Sequence, residues 1–119
     1  MKDPRGRQFV ALHEVRTALE SAAATLSTGT ATSLRAGDAD YFLDLIEVTL
    51  SNNSTVGASV AFKVDGTTLK TIQVGAGNTT QLRFDAPLAQ PVKGVPWLVD
   101  MEDITGTEVT VEATFIKNK

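Results

Sequence analysis

The sequence predicts a mainly β protein: an antiparallel β-sandwich, Ig-like or jelly-roll in connection, preceded by a short arm and helix. Three observations carry this expectation. From Thr30 onward apolar residues alternate with polar ones in six or seven short runs, the period of half-buried strands. Turn-forming residues separate the runs, at Asn52-Asn53-Ser54, Asp65-Gly66, Gly75-Ala76-Gly77-Asn78 and Thr105-Gly106. No strand–helix–strand alternation occurs, so a parallel sheet is not expected.

Each element has its own local warrant. Residues 1–7 carry Pro4 and Gly6 and no apolar residue after Met1, which reads as an arm. From Phe9 to Leu26 apolar residues recur at three- and four-residue steps: Leu12, Val15, Leu19, Ala22 and Leu26. That spacing, with the Ala run 22–24, predicts an amphipathic helix, although the later part also fits the start of a first strand. The expected division is therefore 1–26 for arm and helix and 27–119 for the sandwich.

Thr30, Thr32 and Leu34 alternate with small residues. Tyr41 to Ser51 is the strongest strand. Its apolar parity switches between Leu45 and Ile46, which predicts a bulge or burial on both faces. Ala58, Val60, Phe62 and Val64 alternate cleanly and run into Asp65-Gly66, the signature of a type I′ hairpin turn. A strand over 68–74 and another over 81–85 follow. Pro87, Pro91, Gly94 and Pro96 punctuate a loop in which Val95, Trp97 and Val99 suggest a short edge strand. Residues 107–115 close the series, with Val109, Val111, Ala113 and Phe115 inward and Thr110, Glu112 and Thr114 outward. The expected core is Leu43, Leu45, Val48, Val60, Phe62, Ile72, Leu82, Phe84, Val109, Val111 and Phe115.

Composition narrows the function. The 119 residues include no cysteine and one histidine, so disulfides, thiolate metal sites and cysteine nucleophiles are excluded. Net charge is −3 and distributed unevenly. Residues 1–35 hold Lys2, Arg5, Arg7, Arg16 and Arg35 against Asp3, Glu14 and Glu20, a net of +2, and the rest is acidic. This balance argues against a nucleic-acid partner or an anionic membrane. No apolar run is long enough to span a bilayer, and no apolar signal segment follows the basic start, so synthesis in the cytoplasm is expected.

Candidate chemistry is sparse. His13 has no nucleophile or acid in a recognisable motif, so no catalytic residue is assigned. Asp38, Asp40 and Asp44, and Asp100, Glu102 and Asp103, form two acidic groups without the spacing of a calcium loop, so no metal or cofactor is assigned. Trp97 reads either as a cap on the sandwich core or as a partner anchor. Lys2, Arg5 and Arg7 of the arm, with Phe9, Leu12, Val15 and Leu19 of the helix stripe, are the other candidate contact residues.

A resemblance adds to this reading. The run Gly37-Asp38-Ala39-Asp40-Tyr41-Phe42-Leu43-Asp44-Leu45-Ile46-Glu47-Val48-Thr49-Leu50-Ser51-Asn52-Asn53-Ser54, the turn Val64-Asp65-Gly66-Thr67, the segment Asp85-Ala86-Pro87-Leu88-Ala89-Gln90-Pro91, Trp97 and the closing Val109 to Asn118 resemble small β-sandwich structural proteins of tailed bacteriophages. The resemblance covers residues 28 to 118 and rests on strand and turn patterns. It implies a non-enzymatic decoration or cement protein of the virion, bound to the major capsid protein on the capsid surface as a dimer or trimer. The competing expectation is a carbohydrate-binding or adhesin-type sandwich module, for which Trp97, Tyr41 and the acidic groups would matter.

Overall fold

The computed structural model describes residues 19–27, 30–102 and 107–119. They form eight strands: β1 (Leu19–Leu26), β2 (Thr32–Arg35), β3 (Phe42–Asn52), β4 (Ala58–Val64), β5 (Thr67–Val74), β6 (Thr79–Leu88), β7 (Trp97–Met101) and β8 (Val109–Asn118). Two four-stranded antiparallel sheets result, with orders β1-β8-β3-β6 and β2-β7-β4-β5. We name them the first and second sheet.

The order has a simple origin. β1 lies beside β8, β2 beside β7, β3 beside β6 and β4 beside β5, as if one long hairpin were folded at the β4–β5 turn. Rolling that hairpin up adds the pairings β3·β8 and β4·β7 and splits it into two sheets. Of the two connections expected from sequence, this is the jelly roll. The fold point is the Asp65-Gly66 turn, where both residues take positive φ, 50° and 77°, as a type I′ turn requires.

The expected parity switch in β3 is a bulge. Register with both β6 and β8 shifts between Leu45 and Glu47. Leu43 and Leu45 before it, and Val48 and Leu50 after it, all reach the core. The core between the sheets also takes Val60, Phe62, Val109, Val111 and Phe115, each with no exposed surface. Each such side chain contributes about 1.5–3 kcal/mol by leaving water. Leu82 and Phe84 differ from expectation: β6 is an edge strand, so they pack against the core and stay partly exposed.

Two expectations are overturned. Residues 19–26 are a strand, not the end of a helix, and no helix occurs among the described residues. β1 pairs with β8 over its whole length, from Leu19↔Ile116 to Leu26↔Val109. Its inward set is Glu20, Ala22, Ala24 and Leu26. Ala22 and Leu26 belong to both the helical and the alternating series, so period alone could not separate them. Burial against β8 decided the matter over alanine's helix propensity. The expected helix over 9–18 lies outside the described residues, as do the arm and His13. The second correction concerns β7. It is interior, between β2 and β4, and not an edge strand.

The 36–44 and 88–97 segments are locked together at one end of the sandwich. Asp44 Oδ1 accepts from the Gln90 backbone N–H at 2.9 Å, and the buried Gln90 side chain bridges Leu43 N–H and Val95 C=O, both at 2.8 Å. Trp97 Nε1 donates to Leu43 C=O at 2.7 Å. Gly37 runs so close to Gly94 that a Cβ there would lie 2.4 Å from its carbonyl carbon.

Candidate functional site

Side chains on the outer face of the first sheet follow from strand parity. Inward residues of β1, β8 and β3 alternate with outward Ser21 and Ala23, Glu112 and Thr114, and Glu47 and Thr49. Register sets them in two rows across the sheet. One row is Ala23, Glu112, Thr49 and Gln81, and the next is Ser21, Thr114, Glu47 and Arg83. Because Ser21 and Ala23 are short, the β1 side of the face is low. A shallow groove of about 310 Å³ runs there, lined by Ser21, Ala22, Ala23, Glu47, Thr49, Glu112, Ala113 and Thr114.

The groove is acidic and hydroxylated. Glu47 accepts from Gln81 Nε2 at 3.3 Å and faces Arg83 Nη1 at 4.0 Å. That guanidinium is 81% exposed, so solvent screens the pair and it is worth little. Glu112 is exposed and has no ion pair among the described residues. Such a face offers anionic acceptors and hydroxyls on a rigid, nearly flat platform.

Charge of the opposite sign collects at the end where β1 begins and β8 ends. Glu20 receives Arg35 from β2, through Nε at 2.7 Å, and Lys117 from β8 at 3.0 Å. This carboxylate therefore ties the two sheets. Burial pushes its pKa up, but hydrogen bonds from Lys117 and Arg35 outweigh burial and hold it below its usual value of 4.5. Glu20 in turn raises Lys117 above its usual 10.5. Lys117 and Lys119 lie 5.3 and 5.5 Å from the centre of the Tyr41 ring, and Lys93 lies 4.9 Å from that of Phe42.

The sequence candidates are dispersed. Trp97 is fully buried, 5.5 Å from Phe115 between ring centres, so it is a core residue and not a surface anchor. Leu19 is 39% exposed on the outer face, opposite Ile116. Lys2, Arg5, Arg7, Phe9, Leu12 and Val15 lie outside the described residues. The acidic groups do not converge: Asp38 caps the Asp40 N–H at 2.9 Å, Asp44 holds Gln90, and Asp100 pairs with Lys63 at 2.9 Å. Among the described residues no three carboxylate or imidazole side chains form a metal-binding group. Sequence reasoning placed Glu112 outward but missed the groove, because β1, β8 and β3 meet only through pairing of strands distant in sequence.

No family profile and no curated protein matches the chain. Solved structures do. A protein of Bacillus endospore appendages, described as a novel family of disulfide-linked pili, superposes with a TM-score of 0.51 at 12% identity, over 85% of this chain and 88% of that one. The insecticidal delta-endotoxin Cry8Ea1 of Bacillus thuringiensis gives 0.52 at 10% identity, over 82% of this chain and 20% of that one. Carbohydrate-binding module CBM36, in complex with calcium and xylotriose, gives 0.48 at 12% identity, over 76% of each. At such identities the first two likenesses are likenesses of fold, and fold does not fix function. What they place with known proteins is the β-sandwich of this chain.

Proposed function

We propose that this protein is a non-enzymatic structural subunit that binds an assembled protein lattice in many copies and stabilises it, as a phage capsid decoration protein does. The observation that carries the reading is the outer face of the first sheet. It is a flat platform of small, hydroxyl and carboxylate side chains, bounded by edge strands β1 and β6. Among the described residues β1 pairs on one side only, in unbroken register and without proline, and its one carboxylate is turned toward the other sheet. Such a platform suits contact with another protein better than enclosure of a small molecule. The assignment to a virion comes from the sequence resemblance over residues 28 to 118. The pilus protein of similar fold is also an assembly subunit by its description. Disulfide linkage is closed to this chain, which has no cysteine.

The carbohydrate-binding alternative has Tyr41 and Phe42 as the rings a sugar would stack on, but a lysine ammonium stands over each. The test is to incubate the purified protein with empty heads of the phage whose genome carries the gene, and to sediment them. Co-sedimentation and greater heat resistance of the heads support the reading. Protein that stays unbound overturns it, and retention on immobilised polysaccharide instead would select the alternative.

A further inference from the structure

We propose that residues 1–18 of one copy occupy the Glu47–Glu112 groove on the first sheet of a second copy. The inference rests on the multi-copy reading above and adds the partner, its segment and its docking site.

Charge complementarity is the first argument. Residues 1–18 hold Lys2, Arg5, Arg7 and Arg16 against Asp3 and Glu14, a net of +2. The remaining residues hold seven Lys or Arg against twelve Asp or Glu, a net of −5. The groove is where that negative charge meets a low floor. Glu112 stands in it without an ion-pair partner among the described residues, and Glu47 has only the exposed, distant Arg83. A guanidinium laid between the two strands would pair with either carboxylate.

Position and length decide between the chain's own segment and a neighbour's. The chain enters β1 at Leu19, and the groove begins at Ser21. To fill its own groove the segment would have to double back over the strand it leads into. A neighbour's segment meets no such constraint. Eighteen residues span up to about 60 Å when extended, enough to cross from one small domain to the next. The short side chains of Ser21 and Ala23 admit an incoming backbone, and Thr49 and Thr114 offer it hydroxyls.

The test uses the full-length protein in solution, without virions, so its outcome is independent of capsid binding. Sedimentation velocity is run on wild type, on Glu112→Lys, and on Arg5→Glu/Arg7→Glu. Glu112 is exposed, and melting curves check that each variant folds. Wild type is expected to self-associate, and each variant to associate at least about tenfold more weakly, as reversal at a charge-paired contact should give. Mixing the two variants is the deciding step. Intact segments of the first then meet intact grooves of the second, and association returns. Monomeric wild type at all concentrations, unchanged association in either variant, or no recovery on mixing would each overturn the proposal. The last result would place the segment on its own chain or elsewhere.

Discussion

Trp97 joins two strands that sequence leaves far apart. Its indole packs on Phe115 and its Nε1 hydrogen bonds to Leu43 C=O, so a β7 side chain fixes the start of β3. Trp97→Phe keeps most of the apolar contact but strands that carbonyl, and should cost about 1–3 kcal/mol in denaturant unfolding. Phe62→Ala removes a ring from the centre of the core and should cost about 3–5 kcal/mol; an unchanged midpoint would remove it from the core. Gly37→Ala puts a methyl against the Gly94 backbone and should cost about 1–3 kcal/mol by forcing the two loops apart. Glu20 gives a pH signature. Its pKa is lower folded than unfolded, so its contribution is complete above the unfolded value near 4.5 and is lost as pH falls through the folded one. Thermal melts should show the acid-side loss of stability reduced in Glu20→Gln. The raised pKa of Lys117 works oppositely: its contribution is present below 10.5 and disappears as pH rises through the folded value.

Among elements, β1 matters most for how the chain is divided. Sequence placed it with the arm, yet it is an integral edge of the first sheet. A chain lacking residues 1–18 keeps all eight strands and should melt within a few degrees of wild type. A chain lacking 1–26 uncovers β8 along its whole edge and removes Leu26 from the core, and should fail to fold cooperatively by circular dichroism. The elements legible in the sequence were those with local causes: the β3 bulge, the positive-φ hairpin at Asp65-Gly66, and the parity of β4 and β8. β1 was illegible because Ala22 and Leu26 satisfy two periods at once. The interior place of β7 was illegible because strand order depends on partners distant in sequence. The groove shared that obstacle, being assembled from β1, β3 and β8.

At the scale of the molecule, the roll pairs the first strand with the last and the second with the seventh. Most of its sheet contacts therefore close long loops, whose entropy must be lost before any burial compensates. Refolding is expected in milliseconds to seconds, slower than for a helical bundle of this size; stopped-flow Trp97 fluorescence would read it directly. The same roll sets Leu19 opposite Ile116, so the chain enters and leaves the sandwich side by side. A short linker from Lys119 back to Leu19 would close the backbone into a ring without breaking a strand. The ring can then be cut at the exposed Asp65-Gly66 turn, giving a circular permutant whose new ends emerge at the β4–β5 turn and whose strand pairs are all retained. A passenger fused there would stand on an exposed two-residue tip held between paired strands, which makes the hairpin a natural point for displaying a foreign peptide.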